Sequence, residues 1–143
     1  MQTVKILNLT KSFGKIRAVD SLSLDIEKGK ITGLIGADGS GKTTLIRLIT
    51  GLLIPDSGEI TVLGLNPAAQ KEELSTKIGY MPQKFGLYED LSIEENLQLY
   101  ADLKKLPYEF DELLEFTKLM PFKTRLAGAL SGGMKQKLGL ACA

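Results

Sequence analysis

The stretch Gly36–Thr44, with the sequence GADGSGKTT, decides the fold, because it fits the pattern G-x-x-x-x-G-K-[ST]. The apolar segment Ile31–Ile35 precedes it, and the apolar segment Leu45–Ile49 follows it. This order predicts a buried strand, a glycine loop and a helix that opens at Lys42. In such a loop the backbone N–H groups turn inward and surround phosphate oxygens. The alternative is an ordinary glycine turn before a helix, but the flanking strand and helix favour phosphate binding.

The residues of this loop suit distinct tasks. Gly36, Gly39 and Gly41 are expected to permit positive φ and a close approach of the backbone to an anion. Lys42 offers a mobile positive charge to β- and γ-phosphates, and the Thr43 hydroxyl is a ligand for the Mg²⁺ that bridges them. The helix adds its unpaired N–H groups and the positive end of its dipole. The other candidate nucleotide contacts in the loop are Asp38, Ser40 and Thr44.

Composition excludes several classes of function. The 143 residues suffice for one domain with a core, and 18 basic residues nearly balance 17 acidic ones, so no nucleic-acid footprint is expected. The absence of histidine excludes histidine bases and histidine metal sites. The single cysteine, Cys142, is expected to be a small buried side chain rather than a nucleophile. The N-terminus lacks a signal-type apolar core, and no apolar run suffices for a membrane span, so solubility is expected.

Around the loop, alternating residues predict an antiparallel pair of strands at Thr3–Leu9 and Leu22–Ile26. Between them Phe13 lies in a polar turn, and spacing alone favours a core residue at the sheet edge over an exposed aromatic. Further predicted elements are a strand at Glu59–Leu63, a short helix from Asn66 to about Thr76 and a strand at Ile78–Met81.

From Gln83 the chain changes to loops and helices. A capping box at Ser92–Glu95 predicts a helix to about Leu103, and a second helix is expected at about Tyr108–Leu119. The predicted division is a β subdomain with the phosphate-loop core at 1–83, and a loop and helical subdomain at 84–143.

The stretch Leu130–Gln136, LSGGMKQ, predicts another helix start. Ser131 is a good N-cap, and Gly132 and Gly133 leave first-turn N–H groups bare for a second anion. A capped helix with a flexible entry explains the same residues, and the pattern alone does not decide between the two.

Together these motifs resemble the ATP-binding cassette (ABC) ATPases. Gly36–Thr43 matches their Walker A loop, Gln83 their Q-loop glutamine, and Leu130–Gln136 their signature motif, in the family's order and spacing. Tyr80–Leu91 is most similar to cassettes of bacterial drug exporters of the daunorubicin-resistance type, particularly those with two cassettes in one polypeptide. The resemblance implies an α/β P-loop NTPase fold with an antiparallel β subdomain, a RecA-like core and an inserted helical subdomain, truncated before Walker B.

The resemblance also implies residue roles and partners. Phe13 would stack on adenine, in place of the core role favoured by spacing, and Gln83 would reach Mg²⁺ and the attacking water. The Gln83 loop, residues 83–90, would face transmembrane permease subunits through Phe85, Leu87 and Tyr88. Ser131–Gly133 would grip the γ-phosphate of ATP held by a second cassette, which pairs head to tail. The implied protein is an ATP-driven exporter ATPase, cytoplasmic and peripheral to the inner face of the membrane, whose substrate is selected by the membrane domains.

The sequence departs from the family where it stops. Walker B, the catalytic glutamate and the switch histidine are not present, and Asp38, where the family usually has asparagine, is badly placed to replace that glutamate. We therefore expect these residues to bind nucleotide without turning it over, and to show self-association or marginal stability. The alternatives are a non-hydrolysing regulatory module and a cassette ATPase that acts on DNA or ribosomes. The short interval between Gln83 and Ser131 favours transport over the latter.

Overall fold

The computed structural model describes residues 2–83 and 86–143. The chain forms two compact units, residues 1–78 and 79–143. The predicted boundary at Gln83 stays a prediction. Among the described residues, no helix is long and apolar enough to cross a membrane.

An antiparallel sheet forms most of the first unit. Strands β1 (Gln2–Phe13), β2 (Ile16–Glu27) and β3 (Ser57–Val62) lie in the order β2-β1-β3. A tight turn joins the first two strands, so Phe13 pairs with Ile16 across the hairpin. The antiparallel pairing predicted from alternation is confirmed, and the strands are longer than expected because the hairpin extends through the polar residues beside the turn.

Helix α1 (Lys42–Ile49) covers this sheet with one apolar face. Leu45 and Leu48, three residues apart, lie on the same face and are both buried, so this face packs into the core. The predicted start at Lys42 is confirmed. The core that they join consists of Val4, Ile6, Leu9, Val19, Leu45, Leu48, Ile60, Val62, Leu65 and Leu74.

Two predicted strands are wrong. Ile31–Ile35 carries no strand, and Ile31 and Ile35 are almost fully exposed. Ile78–Met81 is likewise irregular. A strand requires a hydrogen-bonded neighbour, and in the part of the chain that the structure describes neither segment pairs with one.

The helix predicted from Asn66 to about Thr76 is wrong in its start. The Asn66 side-chain oxygen accepts hydrogen bonds from the backbone N–H groups of Ala68 and Ala69, at 2.9 and 3.1 Å. Asn66 therefore closes a turn, and α2 begins only at Lys71 and ends at Ser75. The short helix still buries Leu74.

The second unit is helical, as predicted. It contains α3 (Ile93–Lys104), α4 (Asp111–Thr117) and α5 (Gly132–Cys142), with short 3-10 turns at Met120–Phe122 and Ala127–Ala129. Its core is formed by Ile93, Leu97, Leu114, Leu119, Ala127, Leu130, Leu138 and Cys142.

The start of α3 confirms the predicted capping box. The Ser92 hydroxyl accepts from the Glu95 N–H at 3.1 Å, and the Glu95 carboxylate accepts from the Ser92 N–H at 2.7 Å. Helix α4 is shorter than the predicted span, because Lys118 adopts a left-handed conformation (φ +58°) that ends it.

Cys142 is a buried free thiol, as predicted, and burial raises its pKa to about 12. The thiolate, which is the reactive form, is therefore scarce near neutral pH. We expect Cys142 to react slowly with a soluble thiol reagent at pH 7.5 in the folded protein and at the rate of a free thiol in denaturant. Equal rates in the two states, followed by intact mass, would contradict the burial.

Candidate functional site

The loop before α1 is open to solvent. Every residue from Ile31 to Ser40 is exposed, and a turn at Asp38 and Gly39 closes with a hydrogen bond from the Ser40 N–H to the Ala37 carbonyl at 3.2 Å. The N-cap of α1 is Gly41, and no side chain caps the helix. Its first-turn N–H groups are consequently without a capping side chain, which leaves the helix start suited to an anion.

Gly41 occupies a position that no other residue fits. Its φ is +89°, and a Cβ there would lie 2.0 Å from the carbonyl oxygen of Ala18 on β2. Gly39 also has a positive φ, of +78°, but has open space around it. The expected positive φ at Gly36 is not observed. There the constraint is steric, because a Cβ would lie 2.7 Å from the Ser40 hydroxyl oxygen.

Lys42 bends back over the loop that precedes it. Its Nζ donates to the carbonyl oxygens of Gly36 at 2.8 Å and Ala37 at 2.7 Å. The ammonium group therefore lies inside the curve of the loop, at the start of α1. Thr43 is exposed and Thr44 is half-buried.

A pocket of about 310 Å³ lies beside this loop. Its walls are residues 18–20 and Leu22 of β2, the end of the 31–36 segment, and the start of α1. This volume is at the lower end of the range for small-molecule sites. Asp20 lines the pocket and pairs with Arg17 at 3.0 Å, so that its charge is balanced locally.

Phe13 lies at the end of β1 and is 48% exposed. The Nζ of Lys11 lies 5.7 Å from the centre of its ring. The core position favoured by spacing alone is therefore wrong. The role in adenine stacking stays a prediction.

Gln83, Leu87 and Tyr88 lie in the second unit, and Gln83 is exposed. Phe85 is outside the described residues. Tyr88 is exposed, whereas Leu87 is half-buried and packs against the helical core. Of the two described apolar residues, Tyr88 is thus the one that presents a large surface to solvent.

The start of α5 has both a side-chain N-cap and an accessible glycine backbone. The Ser131 hydroxyl accepts from the Met134 N–H at 3.3 Å, so the predicted N-cap is confirmed. Gly132 and Gly133 are exposed, and a Cβ at either would meet open space. The helix is therefore capped and its glycine backbone is accessible, while anion binding there stays a prediction.

Asn96, a fully buried polar residue of α3, was not predicted from the sequence. The available signal was its position, since it adjoins Leu97 and lies three residues after Ile93, on the face that packs into the core. A polar residue on such a face requires internal hydrogen-bond partners.

The glycine loop, the helix that starts at Lys42 and the sheet on which this helix packs together define a P-loop protein. The family model for ABC transporters matches residues 19–143. The chain belongs to this family, and the predicted fold class and family resemblance are confirmed.

Individual relatives agree with this assignment. The chain is 59% identical over 130 residues to a probable multidrug ABC transporter ATP-binding protein, YbhF, of Escherichia coli, covering 87% of the chain and 22% of the relative. It is 38% identical over 140 residues to the bacitracin transport ATP-binding protein BcrA of Bacillus licheniformis, covering 96% and 46%. The chain thus spans less than half the length of either relative.

Among solved structures, the ATP-binding subunit of an ABC transporter superposes with a TM-score of 0.85 at 29% identity. This match covers 99% of the chain and 61% of that subunit.

Proposed function

We propose that this chain is the ATP-binding part of an ABC exporter, with the phosphates held at residues 36–44. The position of Lys42 supports this proposal most strongly. Its ammonium group lies inside the loop, at the start of α1, where no side chain caps the helix. A site with a positive charge, bare N–H groups and a glycine backbone is suited to a polyphosphate.

The loop fits a nucleotide with bound Mg²⁺. On binding, Lys42 would exchange the carbonyls of Gly36 and Ala37 for phosphate oxygens, which are stronger partners because they are charged. Backbone groups of Asp38, Gly39 and Ser40 would line the phosphates. The exposed Thr43 hydroxyl would hold Mg²⁺. The family resemblance also assigns a Mg²⁺ contact to Gln83. The metal ion supplies neutralisation of the charge that develops during phosphoryl transfer.

The second unit is proposed to bind partners. Ser131, Gly132 and Gly133 would contact the γ-phosphate of ATP held by another cassette, so ATP would favour head-to-tail pairing by linkage. The Gln83 loop would contact transmembrane permease subunits at the cytoplasmic face of the membrane through Phe85 and Tyr88, while Leu87 packs against the helical core. The relatives, a probable multidrug ABC transporter ATP-binding protein and a bacitracin transport ATP-binding protein, support a transport role. The similarity of Tyr80–Leu91 to drug-exporter cassettes supports export.

Hydrolysis is proposed for the whole protein and not for residues 1–143 alone. Asp38 is the one carboxylate of the loop, and it lies in an exposed turn rather than in a water-excluded site. It is therefore unsuited to orient the attacking water.

Phe13→Ala tests whether the site is specific for a nucleotide. Base stacking on an aromatic contributes about 1–3 kcal/mol where measured in nucleic-acid complexes. We therefore expect MgATP affinity to fall roughly 5- to 150-fold. Affinity for magnesium tripolyphosphate, which lacks the base, should not change. Calorimetric titration of both ligands provides the measurement.

The matched control is Ile16→Ala, which removes the exposed apolar side chain across the same hairpin. It should leave both affinities unchanged. Equal weakening of MgATP and tripolyphosphate by Phe13→Ala would show that Phe13 does not contact the base.

A further inference from the structure

Residues 88–92, which we call the 88–92 segment, run from the end of the Gln83 loop to the start of α3. Hydrogen bonds with the side chain of Asn96, a residue of α3, hold this segment from its buried side. The Tyr88 N–H donates to the Asn96 side-chain oxygen at 2.9 Å. The Asn96 amide nitrogen lies 3.0, 3.2 and 2.9 Å from the carbonyl oxygens of Tyr88, Leu91 and Ser92. A fully buried amide thus fixes both ends of the segment.

On its other side, the 88–92 segment pairs with residues 125–128, which lead directly into the signature motif. Ser92 and Leu126 form an antiparallel bridge. The backbone hydrogen bonds of this pairing run from Gly128 to Glu89 at 2.9 Å, from Ala127 to Leu91 at 2.8 Å and from Ile93 to Arg125 at 3.0 Å. Movement of the 88–92 segment would therefore displace the chain that enters Leu130 and Ser131.

An ion pair reinforces the same connection. Lys135 Nζ lies 2.8 Å from the Glu89 carboxylate, and the Lys135 N–H donates to the Ser131 carbonyl one helical turn away at 2.9 Å. The hydrogen bond from Lys135 lowers the pKa of Glu89, so the carboxylate is charged at neutral pH. Glu89 is itself mostly exposed, which makes the pair dispensable for folding.

We propose that the 88–92 segment joins the Gln83 loop to the signature motif, with Asn96 and the Glu89–Lys135 pair as its positioning residues. This inference rests on the proposed function. In a transporter, displacement of the Gln83 loop by a membrane subunit would pass through the segment to Ser131. The segment would then set the rate of ATP turnover in paired cassettes without altering the ATP affinity of the phosphate loop in an unpaired cassette.

Charge reversal in the intact transporter tests the connection. Glu89→Lys and Lys135→Glu should each lower kcat for ATP about fivefold and leave the MgATP affinity of the unpaired cassette within about twofold of the wild type. The double reversal should restore kcat to within about twofold of the wild type, because it re-forms the pair. The control is Glu94→Lys, which reverses a neighbouring pair with Lys123 (3.8 Å) that does not involve the 88–92 segment, and it should leave kcat unchanged.

Asn96→Asp provides an independent variant of equal size. It should lower kcat about tenfold and leave the MgATP affinity of the unpaired cassette unchanged, since the carboxylate repels the three carbonyls that position the segment and does not touch the phosphate loop. Failure of the double reversal to restore kcat, or an equal loss in the Glu94→Lys control, would overturn the proposal. A fall in the MgATP affinity of the unpaired cassette with Asn96→Asp would also overturn it. A wild-type protein that binds no MgATP would instead contradict the proposed function.

Discussion

Replacing Lys42 by alanine is expected to weaken MgATP binding by roughly 10- to 100-fold. Hydrogen bonds to charged groups contribute about 1.5–3 kcal/mol, and each 1.4 kcal/mol is about tenfold in affinity. In the structure Lys42 Nζ already lies within the loop, 2.8 and 2.7 Å from the carbonyls of Gly36 and Ala37. Little reorganisation is therefore needed to reach a phosphate. Calorimetric titration of the intact protein with MgATP provides the measurement.

Lys77→Ala is the matched control for this variant. Lys77 belongs to the same unit and pairs with Glu73 at 2.8 Å, so its removal changes the net charge by the same amount. It should leave the affinity unchanged. If both variants lost affinity equally, the attraction would be a general charge effect, and the role assigned to Lys42 would be wrong.

Replacing Gly41 by alanine is expected to destabilise the first unit by about 3 kcal/mol or more and to abolish nucleotide binding. Two costs combine at this residue. A left-handed conformation costs a non-glycine residue about 1–2 kcal/mol. In addition, a Cβ at 2.0 Å from the Ala18 carbonyl forces β2 or the start of α1 to move. Denaturant unfolding of the variant and the wild type measures the difference.

Gly39→Ala separates the two costs. Gly39 has a similar φ of +78°, but a Cβ there has nothing within 4 Å. Only the conformational cost applies, so the expected destabilisation is about 1–2 kcal/mol. Equal stability losses in the two variants would show that contact with the Ala18 carbonyl is not what requires glycine at position 41.

Features set by local sequence could be predicted. The start of α1 at Lys42, the capping box at Ser92 and the N-cap at Ser131 each depend on a few adjacent residues, and all are confirmed. The family resemblance and the antiparallel pairing of β1 with β2 are also confirmed, because hairpin partners are close in sequence.

Features that depend on distant partners could not be predicted. Ile31–Ile35 has the composition of a buried strand, yet no strand pairs with it among residues 2–83 and 86–143. Leu87 was expected to face a partner, but the helical core offers it a closer apolar surface. The role of Asn96 could not be predicted because its hydrogen-bond partners are backbone groups of a loop, and backbone groups leave no pattern in the sequence.

Binding of polyphosphate at the Gly36–Thr44 loop can be observed residue by residue in a backbone amide NMR titration with MgATP. The largest chemical-shift changes are expected at Gly39, Gly41 and Lys42, and in the Lys42→Ala variant the changes at Gly39 and Gly41 should require roughly 10- to 100-fold more MgATP. Unchanged resonances at these three residues, or changes concentrated elsewhere in the chain, would contradict it.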